Sequence, residues 1–308
     1  MKKRVWCVIM AQILIVFIGT AVPALVHAWN QSLHALVAKE CLSVQSKYVA
    51  SFNARIGSMV PDFAWYLRNQ CLISAGDADR LHGDTTQQSL IQDDTAYLYE
   101  IASDLVPWWD YGSRYLVRGI GSHVCADMIA HNEARGYVEK KCIEDLTELV
   151  GAENEEILHL ALEFAVDALL IREYGLQLGD LLFPYRQADF VEKAFQAAVG
   201  DIPGVDLSQE FKKYVALMRA LEKTAALYGP YLIRGEVDEG ALLALEGSEL
   251  FQAQGELTQE GLEIYYSVLM ILLQYPAEIR DTITAAEVHW KDALVEAIRF
   301  YGEAAECP

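Results

Sequence analysis

Lysine and arginine are in short supply: 24 of 308 residues, against 44 aspartates and glutamates, a formal charge of −20. That balance works against tight binding of a long polyanion, whose affinity comes mainly from cations neutralising phosphates. Proline is scarce as well, at eight, and alternating strand-like runs are hard to find. The six cysteines include no C-x-x-C pair, which removes the common thiolate zinc and dithiol redox motifs. Internal repeats, low-complexity tracts and long single-sign charge blocks are missing too, so neither a solenoid nor a charged disordered tail is expected. Apolar residues make up 53% of the chain, enough for a sizeable core in one large domain or two small ones.

The first 28 residues differ from the rest. They carry Lys2, Lys3 and Arg4, a long apolar stretch and no acid, the pattern of a secretory signal. Val26 and Ala28 are the small residues before a cleavage point and Pro23 breaks the apolar helix upstream, so cleavage is expected between Ala28 and Trp29, giving a secreted or periplasmic chain. The rival reading is an uncleaved membrane anchor over Val5 to Val22. Export would place Cys41, Cys71, Cys125, Cys142 and Cys307 where disulfides form. Five is odd, so at least one thiol stays outside any intrachain pairing.

Helical periodicity runs almost throughout the remainder. Residues 31–50, 89–105, 113–134, 153–173, 207–228 and 257–274 place apolar residues three and four apart, predicting an all-α multi-helix bundle. Breaks are expected at 57–62, 76–86, 107–112, 175–184, 200–204, 229–230, 255–258 and Pro276. A soft boundary near 185–205, with Asp206 or Ser208 as the next helix cap, divides a core of residues 29–188 from a helical extension of 189–308. The stretch IYYSVLMILLQYP is too short for a membrane span and reads as a buried helix. Pro107, Trp108, Trp109 and Tyr111 could make a loop that touches a lipid interface, although simple packing is the plainer reading.

The histidines hold the chemical information. GSHVCADMIAHN puts His123, Asp127 and His131 at i, i+4 and i+8, and LHLALEFAVD puts His159, Glu163 and Asp167 at the same spacing. On a helix such residues share one face within about 80° of each other. A lone His-x-x-x-Asp is commonly a surface pair or a hydrogen-bonded core histidine. Two of them, interrupting otherwise apolar stretches, place carboxylates inward, where a buried charge needs a compensating partner. Facing helices that carry these rows make a metal cage. Imidazole and carboxylate ligands without thiolates suit zinc, with manganese and iron as open alternatives.

In the order of these residues the chain resembles the zinc-dependent phospholipase C superfamily: the phospholipases C, the catalytic domain of glycosylphosphatidylinositol-specific phospholipase D, and the zinc-dependent single-strand nucleases. WNQSLH supplies an initial Trp29 and His34, GSMVPDF supplies Asp62, and DRLHGD supplies a loop histidine, His82. The two helical rows complete the set. One spacing departs from the phospholipases C and nucleases, in which the second histidine of the first helix follows the aspartate by six residues, where this chain has Glu133. Here His131 follows Asp127 by four, which looks like the phospholipase D branch and favours His131. The resemblance covers roughly residues 29–175.

The resemblance implies three zinc ions. One would take Asp62, His82, His123 and Asp127; its neighbour the Trp29 amine and carbonyl, His34 and a bridging Asp127; the third His131, His159 and Glu163. Asp167 would support rather than ligate. Asp62 would orient or deprotonate the attacking water. The implied activity is metal-assisted hydrolysis of a phosphodiester. A phospholipid substrate is expected, with transient contact to a membrane surface; single-stranded nucleic acid is the second candidate, disfavoured by charge. A secreted helical binding protein keeping its metals for structure is the alternative of another class.

Overall fold

A computed structural model describes residues 31–43, 48–82, 97–130, 138–151, 155–174, 185–235 and 259–286, together with 292, 295, 296 and 299, and contains no strand among them. The helices are α1 (Gln31–Ser43), α2 (Tyr48–Gly57), α3 (Asp62–Asn69), α4 (Ala75–His82), α5 (Tyr97–Leu105), α6 (Tyr111–Ala130), α7 (Val138–Val150), α8 (Glu155–Tyr174), α9 (Tyr185–Val199), α10 (Leu207–Arg234), α11 (Gln259–Gln274) and α12 (Pro276–Ala285). The all-α expectation holds. No helix among the described residues is long and apolar enough to cross a membrane. Residues 1–30, with the expected signal and Trp29, and residues 131–137, with His131 and Glu133, lie outside the described residues.

Two expectations change. Of the expected helix over 31–50, residues 31–43 and 48–50 are described and are helical. The expected loop around His82 is a helix, with His82 as its last residue. Its start was legible: Ser74 Oγ accepts from the Asp77 amide at 3.1 Å and donates to the Asp77 carboxylate at 2.7 Å, a capping arrangement that satisfies an otherwise unpaired helix-start amide. The break expected at Gly229-Pro230 does not occur either, because α10 continues to Arg234. Gly229 instead lets α10 approach α8, since a Cβ there would lie 3.0 Å from the Ala168 carbonyl oxygen. Asp206 caps α10 by accepting from the Gln209 amide at 2.9 Å, and Gly235, at φ 65°, ends it in the left-handed region that glycine tolerates.

Two apolar cores share the long helices. One gathers Leu33, Leu36 and Val37 of α1 with Leu158, Leu162 and Ala165 of α8, Tyr228 and Leu232 of α10, and Leu272 of α11. The other gathers Ile56, Phe63, Leu81, Leu116 and Ile120 with Phe195 of α9 and Phe211 and Tyr214 of α10. Helix α10 thus supplies its first half to one core and its second half to the other. Residues beyond 188 are integral to both.

The closest packing brings α2 against α6. A Cβ on Gly57 would sit 1.9 Å from the Leu116 carbonyl oxygen, and one on Gly119 would sit 2.1 Å from that of Ala54. Only glycine at both positions lets the backbones meet. The contact brings the 58–62 turn alongside the part of α6 that bears His123 and Asp127.

Candidate metal centre

Four helices and one helical turn bring five of the expected ligands together. His34 lies on α1, Asp62 opens α3, His82 closes α4, and His123 and Asp127 stand one turn apart on α6; all five are buried.

The distances have a definite pattern. His82 Nε2 lies 3.2 Å from His123 Nε2, 3.2 Å from Asp127 Oδ2 and 3.3 Å from Asp62 Oδ1. His123 Nε2 lies 3.2 Å from Asp127 Oδ2 and 3.8 Å from Asp62 Oδ1. Four ligands bonded to one ion at about 2.0–2.1 Å in a tetrahedron stand about 3.3 Å apart along each edge. Within 4.8 Å the ligand atoms form two groups of three that share His123, namely His82, His123 and Asp127, and His34, Asp62 and His123, either of which could hold a cation. A hydrogen bond is the weaker explanation, because one N–H on His82 cannot point at three converging acceptors.

Asp127 faces two ways. While its Oδ2 meets His82 and His123, its Oδ1 lies 3.1 Å from His34 Nε2. His34 is wholly buried, and neither of its ring nitrogens has an aligned hydrogen-bond partner among the described residues. Its ring stacks on that of His123, with centroids 3.9 Å apart and 23° between planes. With the Asp127 oxygen beside it, His34 is a donor that could take part in holding a cation.

The tautomer of His123 follows from its other nitrogen. Nδ1 lies 2.8 Å from the Ser58 carbonyl oxygen. A carbonyl only accepts, so Nδ1 carries the hydrogen, and in the neutral ring Nε2 presents a lone pair to the cluster. The Ser58 carbonyl was invisible in the sequence, since any residue type supplies one. Next to it, the Tyr214 hydroxyl of α10 donates to the Met59 carbonyl at 3.0 Å, tying this turn to the second half of the chain. Trp65 lies against His82, with ring centroids 5.8 Å apart.

The histidines also act on the two carboxyl groups. Burial alone would push the Asp62 carboxyl up, but the imidazoles of His123, His82 and His34 outweigh it and hold the group below the usual carboxylate range. Burial opposes ionisation of Asp127 too, yet His123 and His34 hold it well below that range. Both carboxyls are thus favoured as anions by the histidine side chains around them.

His159 and Glu163, one turn apart on α8, make their own buried contact, Nε2 to Oε1 at 2.8 Å. Among the described residues, the groups of ligand atoms lying within 4.8 Å of one another draw on the five residues above and not on this pair. Asp167 is buried one turn further along. No protein-family model, curated protein or solved structure matches the chain.

Proposed function

We propose that the protein is an exported zinc-dependent hydrolase of phosphodiester bonds that acts on phospholipids or related amphiphiles. The observation that carries this reading is the convergence of five buried ligands in two groups of three that share His123, each leaving room for a water, with the two oxygens of Asp127 turned to different histidines. The same residues appear in the same order in the zinc-dependent phospholipase C pattern. Zinc held there would lower the pKa of a shared water to give hydroxide near neutral pH and would offset charge on the phosphoryl oxygens.

The side chains have separable tasks. Asp127, with its two oxygens turned to different histidines, would be shared by the ligands of both groups. His123, oriented by the Ser58 carbonyl, and His82 complete one half. His34, with the Trp29 amine freed by signal cleavage, serves the other, so export would complete the centre. Asp62 would orient the attacking water. His159 and Glu163, with His131, would hold a third ion at the phosphoryl group. No protein nucleophile is required.

The test is turnover of a bis-aryl phosphodiester by the exported protein, lost on chelation and restored by zinc. Faster turnover of a choline phospholipid than of single-stranded DNA supports the lipid reading; the reverse order makes the protein a nuclease. Zinc bound without any turnover would leave a metal-stabilised binding protein instead.

A further inference from the structure

The turn joining α5 to α6 presents a group of aromatic side chains to solvent. Trp108 is 75% exposed, Trp109 61% and Tyr111 71%, with Leu105 beside them also exposed. The presentation is built in. Asp110 donates its amide to the Pro107 carbonyl at 2.9 Å, closing a turn with the two tryptophans at its centre. The Asp110 carboxylate then accepts from the amide and hydroxyl of Ser113 at 3.3 and 2.9 Å, capping α6. The indoles meet edge to face at 5.6 Å. On α6 just behind them, exposed Arg114 lays its guanidinium over Tyr111 at 5.7 Å, and exposed Arg118 lies over Tyr115 at 5.5 Å.

We infer that this turn is the protein's docking surface for a zwitterionic lipid interface, with Trp108, Trp109 and Tyr111 entering the headgroup layer and Arg114 meeting lipid phosphate. The inference deepens the lipid reading above and rests on it for the choice of partner. Tryptophan and tyrosine, each apolar with a polar edge, belong at the boundary between water and hydrocarbon, and their faces attract a choline cation. At these exposures the three rings offer roughly 300–500 Å² in one compact tip. The acidic excess of the chain opposes approach to an anionic membrane, whereas a zwitterionic surface imposes no such barrier. Tyr111 is twelve residues from His123, about 18 Å along α6, so the tip can be altered without touching the metal ligands.

The experiment is co-sedimentation of the full chain with phosphatidylcholine vesicles, run beside turnover of a soluble bis-aryl phosphodiester. W108A/W109A should lower vesicle partitioning at least about tenfold and leave soluble turnover and the unfolding midpoint unchanged. R114Q should lower partitioning by a smaller factor, and phosphatidylserine vesicles should bind the wild type less than phosphatidylcholine vesicles do. Absence of wild-type partitioning, or equal partitioning of W108A/W109A, overturns the inference while soluble turnover still upholds the hydrolase. Partitioning that depends on the tryptophans, without turnover of any phosphodiester, upholds the docking surface and removes the hydrolase. Self-association abolished by W108A/W109A, with no vesicle binding, assigns the tip to a protein partner and overturns the inference.

Discussion

Asp127 joins the two halves of the cluster, because one oxygen meets His82 and His123 and the other meets His34. Replacing it with asparagine keeps the size and removes the charge, so Asp127→Asn is expected to keep the helical circular dichroism and lose zinc, read by metal analysis. The metal-free protein carries a second signature. Asp127 has a depressed folded pKa, so its stabilising contribution is present above the unfolded carboxylate value, about 3.9, and is lost as pH falls below it. The difference in unfolding free energy between chelated wild type and Asp127→Asn should therefore narrow as pH drops below about 4; a difference independent of pH would contradict this. Of the five clustered residues, His123 and Asp127 were legible from their four-residue spacing, whereas His34, Asp62 and His82, far apart in sequence, were singled out only through the resemblance. The Ser58 carbonyl and the Trp65 contact were not legible, since a backbone acceptor has no residue code and a ring neighbour depends on tertiary packing.

Helix crossings turn these residues into a site. Gly57 and Gly119 allow α2 and α6 into backbone contact, and that approach carries the Ser58 carbonyl to His123. Gly119→Ala is predicted to cost about 3 kcal/mol of stability by forcing the backbones apart and to weaken zinc binding as well. Gly76→Ala is the control, with nothing within 4 Å of the added carbon, and should be neutral or stabilising by about 0.5 kcal/mol. Chemical denaturation with zinc titration of both variants reads both effects. Equal stability of the two variants would refute the packing role. Sequence alone marks a glycine at a helix end as a stop, as at Gly57, or passes over one within a helix, as at Gly119, because close approach is a property of two segments at once. Capping explains the misplaced loop at His82: the Ser74–Asp77 pair starts a helix where Gly76 had suggested a break. Between α10 and α11, the Tyr228 hydroxyl donates a short hydrogen bond to the Leu272 carbonyl, and burial pushes its phenol up, so it stays a neutral donor. Tyr228→Phe should lower stability by about 2 kcal/mol by leaving that buried carbonyl unpaired. An unfolding curve matching wild type would contradict it.

At the scale of the molecule, the two apolar cores meet along α1, α6 and α10, and the cluster is carried by α1, α6 and the elements packed on them. Tyr214 reaches back from α10 to Met59, and the Tyr66 hydroxyl lies 3.1 Å from Glu210. The second half of the chain therefore braces ligands contributed by the first. Periodicity predicted the helices but not this bracing, because apolar spacing specifies a face and not its partner. The acidic excess works against binding of long polyanions, and one end of α6 presents exposed aromatic rings. The claim on which the rest depends is that the five buried ligands hold zinc. Native mass spectrometry of the full-length gene product recovered from the exported fraction tests it most directly, reporting metal count and N-terminus in one spectrum. Zinc bound to wild type on a chain beginning at Trp29, and lost in Asp127→Asn, is the predicted result. A wild-type chain that takes up no zinc after exposure to it would contradict the metal centre and the hydrolase together.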